Sequence, residues 1–208
     1  KPGVWKNGYA GVWHFGSGAL STSDSTVNAN NAANHGVVAA AGKIGGSGSF
    51  DGTGNTYFQV PSNNSFKPAN TITLEAWVNM TGPTSWPDIF SLDYRADGSW
   101  SGPFQAYALD FFSNTLEPRL DVAVNGNQIA PNANFQIATS QWVHMVGTYD
   151  GSNMVIYING APVVTSPQTG PISYGTSKDL DLGTRSPYTS AEAVNGLIDE
   201  ARISIVAR

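Results

Sequence analysis

Asn-Gly and Asp-Gly pairs punctuate this chain: Asn7, Asp51, Asp97, Asn125, Asp150, Asn159 and Asn195 are each followed by glycine. Such pairs supply the positive φ angles that tight hairpin turns require. Here they stand at the ends of runs rich in β-branched and aromatic residues, which is the grammar of strand, turn and strand. Gln141 to Tyr149 stops at Asp150-Gly151, and Val155-Ile156-Tyr157-Ile158 stops at Asn159-Gly160. No stretch carries a helical period. An all-β chain of short antiparallel strands is the expectation.

Strands are expected near 11–15, 45–50, 56–60, 71–79, 87–93, 104–112, 118–124, 141–149, 153–159, 178–183 and 195–204. The cleanest alternation runs from Thr71 to Asn79, and Val124-Asn125-Gly126-Asn127 reads as the tightest hairpin turn. Residues 16–36, rich in Ser, Asn and Ala, carry no strand signal and read as ordered loop. So many short strands, with no linker-like shift in composition, predict one antiparallel two-sheet jelly-roll sandwich over 1–208. Trp5, Trp13, Trp77 and Trp142 fall in strand-like positions and are expected in its core.

At 208 residues, with 40% hydrophobic content and only 12% charged, the chain can bury a full core without staples. Cysteine is absent, which removes disulfides, thiolate catalysis and zinc-thiolate sites together. The net charge of −5, with no cluster of Lys or Arg, excludes nucleic acid and an anionic membrane surface as partners. No apolar run approaches the length of a membrane-spanning helix. The opening Lys1-Pro2-Gly3 reads as a domain cut from a longer polypeptide.

Several segments in order carry a resemblance. They are Val12-Trp13-His14-Phe15, Asp24 to Asn30, Gly48-Ser49-Phe50-Asp51-Gly52, Tyr57 to Pro61, Ile72 to Val78, Trp142-Val143-His144 with Gly147 to Gly151, Tyr157 to Gly160, and Gly196 to Ile203. Together they resemble laminin-G-like, concanavalin-A-like domains. Two departures are Val27, where such loops carry glycine, and Asn31-Ala32, where they often carry His-Gly. The resemblance implies a concanavalin-A-like jelly roll on a secreted or cell-surface bacterial protein. It leaves function open, since such domains serve as carbohydrate-binding modules, adhesion domains, spacers and some glycan-active enzymes.

Catalysis of glycan cleavage needs two carboxylates flanking one bond. Along any one strand only Asp179 and Asp181 share a face, and their alternation reads as a solvent face. The Glu-x-Asp-x-x-Glu run of the resembling glycanases is missing. His14, His35 and His144 stand beside no Ser-Asp pair. No catalytic residue is assigned.

Calcium is the inorganic ligand the chain could hold, since it takes six to eight hard oxygens in loose geometry. The Asp24–Asn30 loop offers Asp24 and the amide of Asn28, and the resemblance adds Asp199, which such domains direct at this loop. The competing reading is a loop closed by Asx turns.

For sugars the requirement is an aromatic platform with a few convergent polar groups. If Tyr107, Leu109 and Phe111 are core, Asp110 turns to the other, open face, and by the same count Arg119 and Asp121 join it. The competing reading, which has the edge, is a solvated face with an ordinary cross-strand Arg-Asp pair. Trp86 and Trp100, in loops flanking these strands, are the stacking candidates. The expectation is a non-catalytic, lectin-like module whose partner is a glycan or polysaccharide, with neighbouring domains of the parent protein as the other partner class. A structural or adhesive spacer comes second and a glycan-active enzyme third.

Overall fold

The structure, a computed structural model, describes residues 4–16, 18–94, 101–176, 178–185 and 191–208. In chain order the strands are β1 (Tyr9–Phe15), β2 (Ser21–Asp24), β3 (Ala33–His35), β4 (Val38–Ala41), β5 (Gly46–Asp51), β6 (Tyr57–Val60), β7 (Ile72–Met80) and β8 (Asp88–Asp93). They continue as β9 (Gln105–Phe112), β10 (Glu117–Val124), β11 (Asn127–Ile129), β12 (Val143–Tyr149), β13 (Asn153–Ile158), β14 (Ala161–Pro167), β15 (Leu180–Leu182) and β16 (Asn195–Ser204). One 3-10 turn, Asn64–Phe66, is the only helical element among the described residues.

Two antiparallel sheets form a jelly-roll sandwich. The first, of nine strands, runs β14-β13-β12-β7-β16-β1-β2, with β5 pairing β16 and β4 pairing β5. The second runs β11-β10-β9-β8-β15-β6-β3. Every strand expected from the sequence is present. Five more appear, and two of them, β2 and β3, lie inside the stretch 16–36 that reads as loop. Asn125 and Gly126 have φ of 51° and 75°, the primed turn that joins β10 to β11. Asn159 and Gly160, at 52° and 82°, do the same between β13 and β14.

The core lies between the sheets. Leu74, Ala76 and Val78 of β7 face Tyr107, Leu109, Leu120 and Val122 of the opposite layer, all buried. Packing leaves no room for a side chain at Gly147 of β12, where an added Cβ would stand 2.7 Å from Leu120 Cδ1. Trp13 is fully buried, and its Nε1–H donates to the Asn30 carbonyl at 3.0 Å.

Trp77 corrects the expectation of a buried ring. It shares parity with Glu75 and Asn79, so its ring sits half-buried on the outer face of the first sheet. There it lies 4.9 Å from the His144 ring and under Lys43 Nζ at 4.8 Å. Trp5 and Trp142 are also only half-buried. Asp181 departs in the opposite direction. It is 4% exposed and accepts from Gln59 Nε2 at 3.2 Å, so its strand does not present it to solvent.

Candidate functional site

Period-two alternation sorts the side chains of β9 and β10 to two faces. Tyr107, Leu109, Phe111, Leu120 and Val122 enter the core, which turns Asp110, Arg119 and Asp121 outward from it. Strand register places Asp110 opposite Arg119 on one side and opposite Asp88 of β8 on the other. Arg119 Nε–H donates to Asp110 Oδ1 at 2.8 Å while Nη2 donates to Oδ2. The same Nη2 is 3.7 Å from Asp121 Oδ2, which also accepts from Gln128 Nε2.

Above this layer sits Trp86. Its ring centroid is 4.7 Å from the Arg119 guanidinium carbon, and Phe112 meets it edge-on at 5.2 Å. The loop that carries Trp86 is tied down by backbone hydrogen bonds. Trp86 N–H donates to the Ala191 carbonyl at 2.7 Å and Asp88 N–H to the Glu192 carbonyl at 3.0 Å. These bonds bring Glu192 to the same place from more than a hundred residues away. Arg185 links it further, donating to Glu192 Oε1 at 3.0 Å and to Asp93 Oδ1 at 2.8 Å.

The result is a cleft of about 410 Å³, walled by Trp86, Phe104 and Arg185 and floored by Asp88, Arg119, Asp121 and Glu192 among others. Volumes of roughly 300–1,000 Å³ are usual for small-molecule sites. Asp110 lies beneath the floor. Both it and Asp121 have no exposed surface, so the open, solvated sheet face expected here is in fact covered by the Trp86 loop and the segment around Glu192.

Burial dominates the electrostatics. It pushes the Asp121 carboxyl up to about 7, against the pull of Arg119. Burial raises Asp88 well above the ordinary range, and the Asp110 and Glu192 charges add to it. Glu192 is raised by burial as well, with Arg185 opposing. Burial works against the Arg119 charge, yet Asp110, Asp121 and Asp88 outweigh it and hold the guanidinium more firmly protonated.

Of the sugar-site residues expected from the sequence, Trp86, Asp110, Arg119 and Asp121 come together here. Trp100 lies outside the described residues. Asp88, Phe104, Arg185 and Glu192 were not foreseen. Asp88 had a readable signal, its place at the start of an expected strand. Glu192 sits in Ala191-Glu192-Ala193, where nothing marks it.

The expected calcium ligands have other commitments. Asp24 Oδ1 accepts from the N–H of Val12 at 2.9 Å and of Thr26 at 2.8 Å, and Oδ2 from the Thr26 hydroxyl at 2.6 Å and Asn30 N–H at 2.9 Å. The Asn28 amide donates to the carbonyls of Tyr9 at 3.3 Å and Ala10 at 3.0 Å. Asp199 turns to a different segment, accepting from Ile44 N–H at 2.8 Å and Glu200 N–H at 2.7 Å. Calcium needs six to eight oxygens turned toward one point, and this arrangement does not fit that demand.

A family model described as the concanavalin A-like lectin/glucanases superfamily matches residues 51–208. No curated protein sequence matches the chain. Among solved structures, domain 4 of AbnA, a GH43 extracellular arabinanase from Geobacillus stearothermophilus in complex with arabinotriose, is similar with a TM-score of 0.72 and 20% identity, covering 96% of this chain and 93% of that one. The binding domain of Paraclostridial Mosquitocidal Protein 1 follows at 0.74 and 13%, covering 97% and 49%. The botulinum neurotoxin serotype G binding domain stands at 0.67 and 14%, covering 97% and 48%. This chain thus spans about half the length of those two toxin domains. At such identities the likeness is one of fold.

Proposed function

This chain belongs to the concanavalin A-like lectin/glucanases superfamily, and we propose that it acts as a non-catalytic carbohydrate-binding module of a secreted or cell-surface protein. The observation that carries the reading is the cleft itself, where the Trp86 ring stands beside Arg119 and Asp121 in a volume of about 410 Å³. An aromatic wall against the apolar face of a sugar ring, with charged groups for its hydroxyls, is the chemistry carbohydrate recognition uses. That the similar arabinanase domain holds arabinotriose makes this trisaccharide the first probe.

Affinity is expected between millimolar and micromolar, about −4 to −8 kcal/mol, since a wet site of this size gains little beyond the cost of immobilising its ligand. Calorimetric titration with arabinotriose and a panel of soluble oligosaccharides tests the reading, with Trp86→Ala as the control. Binding by no glycan would favour a structural spacer.

A second reading rests on a specific observation. Asp88, Asp121 and Glu192 meet across separate segments, and each is raised in pKa chiefly by burial. Paired carboxyls of that kind serve glycoside hydrolysis. Release of reducing ends by the purified protein, lost in Glu192→Gln, would move the assignment to an enzyme.

A further inference from the structure

Arg119 Nη1 is a charged nitrogen of the cleft that has nothing to bind. The guanidinium spends Nε and Nη2 on Asp110, and Nη1 has no hydrogen-bond partner among the described residues. Nor is it one of the buried polar atoms that lack a partner. The side chain keeps 13% exposure, so Nη1 meets solvent in the cleft.

The acids around it are placed differently. Asp88 Oδ1, Asp121 Oδ1 and Glu192 Oε2 are sealed from solvent and unpaired, so nothing entering the cleft touches them. A charged oxygen with neither water nor a donor is costly, and a proton on the carboxyl removes the charge. The pKa values agree in direction, since burial raises all three and brings Asp121 and Glu192 to about 7.

Below that pH these three acids are neutral. The charged groups left around the cleft are then Arg119, Arg185 and Lys178 against Asp110 and Asp93. Asp93 is shared between Arg185 and Lys178, and Asp110 lies beneath the floor with no exposed surface. The charge that faces a ligand is positive, and Arg119 Nη1 presents it. Uncharged lining groups such as Ser85 Oγ set no preference of sign.

We infer that the cleft takes an acidic glycan, in which the carboxylate of a uronic acid accepts a charge-assisted hydrogen bond from Arg119 Nη1. This rests on the glycan-binding reading above and adds the ligand's charge. The Trp86 ring, 4.7 Å from the guanidinium carbon, stands beside that contact, so a sugar paired with Arg119 is within reach of the aromatic wall.

The test is calorimetric titration of the intact chain at pH 6 and pH 8. Trimers of galacturonic, glucuronic and mannuronic acid are run beside their methyl esters, the matching neutral hexose trimers and arabinotriose. Expected at pH 6 is an acidic trimer that binds at least about tenfold more tightly than its ester and its neutral counterpart, the margin of one charge-assisted hydrogen bond. Its affinity should fall toward pH 8, as Asp121 and Glu192 ionise beside Arg119 and oppose a second negative charge. Glu192→Gln removes one of those acids and should shrink the fall, with melting measured alongside to confirm folding. A neutral trimer that binds as tightly as every acidic one overturns the inference, as does an acidic trimer matched by its own ester. Binding by arabinotriose alone also overturns it while leaving the glycan reading intact. Binding by no trimer, acidic or neutral, sinks the glycan reading itself, which is a different outcome.

Discussion

Arg119 forks onto Asp110 across β9 and β10 while its guanidinium carbon lies over the Trp86 ring, 4.7 Å from the centroid. One side chain thus holds the floor of the cleft and one of its walls. Removing it strands the fully buried Asp110. Arg119→Ala should cost about 3–5 kcal/mol, the range for breaking a buried pair from one side. Arg119→Lys keeps the charge but cannot reproduce the planar fork and should still be measurably destabilised. Denaturant melts of both variants settle it, and a wild-type midpoint in the alanine variant would refute the account.

Acidity should stabilise this fold before it harms it. Asp121 has its pKa raised from 3.8 to about 7 by burial, and Asp88 and Glu192 move the same way. Across that interval the folded chain binds more protons than the unfolded one, so stability falls as pH rises from about 4 to about 7. Glu75 opposes this at the acid end. Burial raises it, but the His144 hydrogen bond and the Arg202 charge outweigh that and lower its pKa, so its contribution is lost as pH falls below the usual carboxylate range. Tm should therefore be higher at about pH 5 than at about pH 8, and Asp121→Asn should flatten the slope. A Tm that climbs steadily from pH 5 to pH 8 would contradict the burial of these acids.

Two tryptophans expected in the same core should behave differently. Trp13→Ala removes a ring with no exposed surface and should cost about 3–5 kcal/mol. Trp77→Ala, on the outer face against His144 and Lys43, should cost clearly less. Equal losses in thermal melts would place Trp77 back inside.

Asp24 is predicted to staple its loop through four accepted hydrogen bonds rather than to hold an ion. Asp24→Ala should lose at least about 1–3 kcal/mol, as expected when buried donors are left unserved, and lose it equally in calcium and in chelator. Should calcium raise the Tm of the wild type and not of the variant, a calcium site at this loop is the correct proposal.

The architecture was readable because its signals are local. Turn pairs such as Asn125-Gly126 and alternation such as Ile72 to Met80 act within a few residues. The strands that escaped are edge or short ones. β14 contains Pro162 and Pro167, which read as breakers yet are tolerated on an edge. Trp77 was legible in principle, because Glu75 and Asn79 share its parity. At the cleft, Arg119 and Asp121 on the floor and Asp110 beneath it follow from alternation alone. Glu192 and Arg185 do not, since their place depends on backbone bonds to the Trp86 loop and on an ion pair to Asp93. Scanning single strands for acid pairs could not find carboxylates that meet between strands.

The prolines of β14 have a consequence for crowded surroundings. A bare sheet edge is a template on which a second chain can grow, and proteins that work at high local concentration must disarm it. β14 lies at one end of the nine-stranded sheet, mostly exposed, and Pro162 and Pro167 have no N–H to offer an incoming strand. Two of the seven positions along that margin therefore give a second copy of the chain no donor to pair with, which weakens it as a template.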